Sequence, residues 1–326
     1  MRKLVVITGG AGFLGSHLAD VVIAQGDHVI IIDNLTTGTV SNIEAAMAEG
    51  DATFLYADVA QPTHDLRATL ADATRGRRID TIFHLASPAS PSAYQANQWQ
   101  TLAVNSLGTM SLIEIACEHN ARFIYASTSE IYGNPLVHPQ AETYFGNVDP
   151  IGPRSCYDEA KRFGEASVAA GVRTLDLDGR IVRFFNCYGP RMQAADGRLI
   201  PALIAATLEG RPLPIQGFGR QTRSMTYVDD AIALLLTVAE RPRGDLQPVN
   251  IGSDEELTVE EIARSVAQVA GVPYRIEYVP ERPDDPQRRR PDLTIAFRYG
   301  WRPVTTLIEG IQRTYEWFAL HRAAYV

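Results

Sequence analysis

Residues 3–16 read KLVVITGGAGFLGS: an apolar β-branched run that turns through Gly9, Gly12 and Gly15 into a helical stretch ending at Gly26. A strand passing into a helix through spaced glycines leaves few folds open. The alternation continues. HVIIID, ATFLYAD, DTIFHLA and ARFIYAS are further short apolar runs, and the last two are separated by QTLAVNSLGTMSLIEIACEHN, helical over roughly twenty residues. Continuous apolar strands divided by helices describe a parallel sheet covered on both faces, so the expected class is α/β with a doubly wound sheet.

After GRIVRFF the pattern changes. Gly-, Pro- and Arg-rich loops (NCYGPRMQAADGR, IQGFGRQTRS) alternate with the helices LIPALIAATLEG and DDAIALLLTVAE, and PVNIG reads as one more strand. LTVEEIARSVAQVAG opens on a capping box, Thr258 to Glu261, and stops at Gly271. The expected division is a nucleotide-binding domain over 1–185 with a returning segment near 226–252. Residues 186–225 and 253–326 then form a smaller C-terminal substrate-binding lobe, packed against the sheet rather than tethered to it.

Glycines at the first turn let backbone N–H groups approach a pyrophosphate at a helix N-terminus. Asp33, ending the second strand, offers a carboxylate to two ribose hydroxyls and repels a 2′-phosphate, which favours NAD over NADP. Asp58, after the third strand, is a candidate for the adenine edge. The formal charge of −8 argues against nucleic acid or an anionic membrane as the main partner. No run reaches membrane-spanning length and no signal core is present, so the expectation is a soluble protein. Cys117, Cys156 and Cys187 give no disulfide framework and suggest a reducing cytoplasm. The histidines have no metal-ligand spacing, so no metal is expected.

Of 30 basic residues only Lys3 and Lys161 are lysines. Lys161 lies four residues after Tyr157 in GPRSCYDEAKRFGEA, on the same helical face. A tyrosine is too weakly acidic to act as a base at neutral pH, and a nearby ammonium favours its phenolate. A compact ammonium also reaches ribose hydroxyls where a planar guanidinium does not fit. ASTSEIYG follows the fifth strand and supplies Thr128, Ser129 and Glu130 at the carboxyl edge of the sheet. Asn105, inside the long helix, is an amide that needs a partner.

TGGAGFLGS, HLASPASP, Asn105, STSEIYG, YDEAK, FNCYGPR and QTRSMTYVDD resemble the extended short-chain dehydrogenases/reductases acting on nucleotide sugars. SPASPSAY, HPQAE, GPRSCYDEAKR, GPRM and PDDPQRRRPD are similar to its UDP-glucuronate decarboxylase (UDP-xylose synthase) branch. The resemblance implies a Rossmann-type domain and NAD held by Gly9, Gly12, Phe13, Leu14, Gly15, Asp33, Asn34, Thr37, Asp58, Val59, Leu85, Ala86, Ser87, Asn105, Ala126, Tyr157 and Lys161. The UDP-sugar would meet Ser90, Tyr94, Asn186, Arg191, Leu199, Gln216, Arg223 and Arg282. The Arg288 to Arg290 run reads as solvent-exposed loop. The loop LTTGTVSN lacks the basic residues associated with this branch. A homodimer is also implied, with the helices of Asn105 and Tyr157 from two subunits forming a four-helix bundle.

The implied reaction oxidises C4 of UDP-glucuronate, with Tyr157 as base, Lys161 holding the phenolate and Thr128 on the C4 oxygen. Loss of CO₂ and reduction of the 4-keto intermediate then give UDP-xylose. Ser129 and Glu130 would position the carboxylate or a proton-donating water near C5. Release of the 4-keto pentose, a 4-epimerase and a 4,6-dehydratase are the enzymatic alternatives. A dehydratase would carry an Asp-Glu pair where this chain has Ser129-Glu130. An NAD-sensing regulator would have little use for Tyr157, Lys161 and Thr128 together.

Overall fold

The computed structural model describes residues 2–48, 50–281 and 286–321. Strands β1 (Leu4–Thr8), β2 (His28–Asp33), β3 (Ala52–Tyr56), β4 (Thr81–His84), β5 (Arg122–Thr128), β6 (Asp178–Phe184) and β7 (Val249–Ile251) form one sheet. Every pairing in it is parallel, in the order β7-β6-β5-β4-β1-β2-β3. The order reverses between β1 and β4, and in such sheets ligands bind beyond the carboxyl ends of the strands at that point.

Alternate strand residues feed two cores, which is why the runs are apolar throughout rather than alternating. Val5, Ile7, Val29 and Ile31 pack with Leu18 and Val22 of helix α1 (Phe13–Ala24). Leu4, Val6, Ile30 and Ile32 pack on the other face with Leu66 and Leu70 of helix α2 (Thr63–Thr74).

The expected long helix before β5 begins earlier and is not uniform. Gln98–Ala103, a π-turn at Val104–Gly108, and Thr109–His119 run on as helix α3. A π-turn loosens the carbonyl ladder, and polar side chains take up the released acceptors. Asn105 Nδ2 donates to Thr101 O and Thr109 Oγ1 to Asn105 O, both at 2.9 Å. Helix α4 (Ser155–Thr174) carries Tyr157 and Lys161. Helix α5 (Val228–Ala239) returns the chain to the sheet edge at β7.

In the lobe, Leu213–Gln216 pairs in parallel with Ile276–Val279. Thr222–Arg223 lies between Leu257–Thr258 and Arg288–Arg289. Helix α6 (Val259–Ala270) has both capping-box bonds, and Gly271 ends it at φ 65°. Ile204, Ile215, Ile262 and Val266 of the lobe share a continuous core with Val5 and Ile7 of the sheet. Among the described residues no helix is long and apolar enough to cross a membrane.

Candidate active site

A cleft of about 540 Å³ opens at the reversal of strand order, between the sheet and the lobe. Its floor at one end is the first turn. Gly9 has φ 70°, and a Cβ there would lie 2.7 Å from Ala86 N. On Gly15 it would meet Gly9 O at 2.2 Å. The glycines therefore keep β1, α1 and the end of β4 in contact. Gly12 opens α1 without a side-chain cap, and Gly12, Phe13, Leu14 and Gly15 line the cleft, an arrangement that suits an anion. Asp33 accepts from Ala11 N at 3.0 Å and Leu35 N at 2.8 Å. Burial raises its pKa against those two bonds. Asn34 Nδ2 donates to Asp58 at 3.3 Å, joining the ends of β2 and β3. A Gly-lined turn, an uncapped helix start and a fixed carboxylate at the second strand end suit a dinucleotide.

Phe13, Leu14, Thr37, Val59, Leu85, Ala86, Ser87 and Ala126 line this half as well. Asn105 does not. Its amide is fully buried behind Ser87, donating to Ser87 Oγ at 2.9 Å and accepting from Tyr125 OH at 3.3 Å. Asn105 thus stands behind the cleft wall, bonded to Ser87, which lines it.

Tyr157, Lys161 and Thr128 converge at the carboxyl end of β5. Lys161 Nζ donates to Ala126 O at 2.8 Å and lies between the rings of Tyr125 and Tyr157, 5.2 and 5.8 Å from their centroids. Burial pulls its pKa down to about 7, opposed by the charge of Glu165. The expectation that Lys161 makes the Tyr157 phenol acidic is not met in the protein alone. Burial pushes that phenol well above its usual range, and the hydrogen bond with Thr128 opposes it. Desolvation outweighs a cation seen across the ring.

Glu130 lies beside this group in the cleft. It is partly buried, accepting from Arg289 Nη1 at 2.7 Å on one oxygen and pairing with Arg154 on the other. Burial raises its pKa, but the Arg289 and Arg154 guanidiniums outweigh this and hold the carboxyl well below its usual range. A carboxylate so held stays ionised near neutral pH, which suits the expected positioning role. Arg154 and Arg289 line the cleft together with Ser129, and no role had been read for either from sequence. Arg289 is buried although its neighbour Arg288 is exposed, correcting the reading of Arg288 to Arg290 as exposed loop. Strand alternation in the run was the missed signal.

Ser90, Asn186, Arg191, Leu199, Gln216 and Arg223 line the lobe half of the cleft. Arg223 is buried with Nη1 donating to Thr222 O at 2.8 Å, and Arg191 pairs with Asp20 at 2.7 Å. Cys187 shares this wall, its thiol pushed up to about 12 by burial and so unreactive. Tyr94, expected at the substrate, is buried outside the lining, stacked on Tyr157 at 4.9 Å. Arg282 lies outside the described residues.

The sequence pattern of the NAD dependent epimerase/dehydratase family matches residues 5–252. The chain is 41% identical over 318 residues to UDP-glucuronic acid decarboxylase 1 of Xenopus tropicalis, spanning 97% of this chain and 72% of that one. It is 41% identical over 313 residues to UDP-glucuronic acid decarboxylase 1 of Arabidopsis thaliana, spanning 96% and 69%. Among solved structures it is similar to UDP-glucose 4-epimerase of Thermotoga maritima, with a TM-score of 0.88 at 28% identity, covering 98% of this chain and 100% of that one.

Proposed function

Because the chain belongs to the NAD dependent epimerase/dehydratase family, we propose that it converts UDP-glucuronate to UDP-xylose and CO₂ through a UDP-4-keto intermediate. The observation that carries this is the meeting of two buried guanidiniums, Arg154 and Arg289, at Glu130 in the cleft that holds Tyr157. Two forked guanidiniums in the cleft beside Tyr157 suit a sugar carboxylate better than a neutral hexose.

NAD, held by the glycine turn and Asp33, supplies the hydride acceptor and donor for C4 when bound. Tyr157 would take the C4 hydroxyl proton as its phenolate, a form that the positive ring of bound NAD⁺ and the Lys161 ammonium would favour. Thr128, already bonded to the phenol, orders the same oxygen. Lys161, poised near neutrality by burial, regains its ammonium beside a phenolate and stabilises it. The 4-keto sugar is a β-keto acid. Loss of its CO₂ leaves charge on the C4 oxygen, where the Tyr157 and Thr128 hydroxyls donate. Glu130 orients Arg154 and Arg289 on the carboxylate and does not itself titrate. Arg223 and Asn186 are read as diphosphate contacts.

We also read residues 1–185 with 226–252 as the NAD-binding domain and the remainder as the nucleotide-sugar lobe; the return of β7 to the sheet supports this. A homodimer through α3 and α4 is supported by Trp99, Leu102, Leu107, Met110 and Phe163, all exposed on the single chain. The three free cysteines fit a reducing, cytoplasmic setting. Incubation with UDP-glucuronate and mass spectrometry of the product test the reading. A pentose nucleotide supports it, a ketopentose two mass units lighter assigns release of the intermediate, and an unchanged mass with inverted C4 assigns an epimerase.

A further inference from the structure

The HPQAE stretch at 138–142 supplies no group to the chemistry above, yet Gln140 is fully buried and every polar atom it carries is engaged. Its backbone N–H donates to Arg290 O at 2.9 Å and its carbonyl accepts from Asp292 N at 2.8 Å, a parallel bridge around Pro291. Its Oε1 accepts from Arg290 N at 2.9 Å, and its Nε2 donates to Val137 O at 2.8 Å. Both backbone groups of Arg290 are therefore taken by one residue.

This matters for Arg289. It stands on a strand of two residues, Arg288–Arg289, paired only with Thr222–Arg223. A strand so short does not fix its own register, and a slip or rotation by one residue turns its side chains to the opposite face. Gln140 clamps the peptide next to Arg289, whose side chain meets Glu130.

The clamp is anchored in the sheet. Asn250 of β7, also fully buried, donates from Nδ2 to Gln140 O at 2.9 Å and to Asp292 O at 3.2 Å. Its Oδ1 accepts from Tyr132 OH at 2.9 Å, and that hydroxyl accepts from Arg183 Nη1 at 2.9 Å. Arg183 grips Glu165 with two bonds of 2.9 and 2.7 Å. Glu165 follows Lys161 by one helical turn on α4, so a buried polar chain links the helix of the catalytic tyrosine to the lobe strand of Arg289.

We propose that Gln140 and Asn250 are positioning residues that set Arg289 against Glu130 and so hold the cationic wall in register with Tyr157. The proposal rests on the decarboxylase reading, in which Arg289 meets the substrate carboxylate.

The test is a double-mutant cycle with Gln140→Met and Arg289→Gln, measuring kcat, KM and melting temperature with UDP-glucuronate. Gln140→Met is expected to lower kcat about tenfold or more with a smaller change in KM, acting as the loss of a group aligned for the reaction does. In the Arg289→Gln background the same change should cost less than about twofold, because the two share one effect. Asn250→Ala, which leaves the backbone pairing of β7 intact, repeats the cycle if Gln140→Met does not fold. Equal fold-losses in both backgrounds, or a full rate for Gln140→Met, overturn the proposal. An inert wild type contradicts the decarboxylase reading, whereas an active wild type with additive losses contradicts only the latch.

Discussion

The ring of Tyr94 lies flat on that of Tyr157, centroids 4.9 Å apart and planes within 5°. The Tyr94 hydroxyl is buried with no hydrogen-bond partner among the described residues, so the ring and not the oxygen is what the site uses. A stack of this kind fixes the plane of the phenol proposed to reach the C4 oxygen. Tyr94→Phe is expected to keep kcat within about threefold, while Tyr94→Leu should lose about tenfold or more. Steady-state rates for the two variants separate stacking from hydroxyl contact.

Lys161 occupies a slot between two aromatic rings, its head bonded to a backbone carbonyl. A guanidinium is larger, planar and does not give up its proton. Lys161→Arg is therefore expected to fail nearly as badly as Lys161→Met, each losing about a hundredfold or more in kcat. Turnover and cofactor content of the purified variants check this.

Glu130 is the shared anion of two buried guanidiniums. Glu130→Gln removes the carboxylate that both guanidiniums share, and breaking a buried ion pair costs about 3 kcal/mol or more. The expected result is a clear drop in melting temperature together with loss of decarboxylation. Because the carboxyl is held well below its usual range, the wild-type pH profile should show no limb from this group between about pH 5 and 9.

Asp158, next to Tyr157, has one carboxyl oxygen buried with no hydrogen-bond partner among the described residues. Burial and then the charge of Glu130 push its pKa far up, against Arg154 and Arg289. An acid whose pKa rises on folding binds its proton more tightly in the native state, so stability is fullest at low pH and falls as pH rises through the native value. Asp158→Asn should change the melting temperature little near pH 5 and raise it near about pH 9. Equal shifts at both values contradict this assignment.

The glycine turn, the strand sequence and Gly271 were legible because backbone conformation and burial on both faces leave local marks. Tyr157 and Lys161 were legible because one helix sets their spacing. The Glu130 cluster was not. Arg154 comes from the start of α4 and Arg289 from a lobe strand, and only tertiary packing brings them to one carboxylate. Asn105 and Tyr94 were attributed to ligands because sequence marks a polar or aromatic residue near a site without saying whether it faces the cleft or supports its wall. The π-turn in α3 likewise leaves no periodicity of its own.

The central claim is that Tyr157, Lys161 and the Arg154–Glu130–Arg289 wall act together on a uronate. Its most direct test follows UDP-glucuronate labelled with ¹³C at C6, by NMR and by absorbance of reduced cofactor in the same sample. The account predicts that the label leaves as carbon dioxide and bicarbonate, with a pentose nucleotide formed and no build-up of NADH. Label retained in a hexuronate nucleotide, whether unchanged or epimerised at C4, would contradict it.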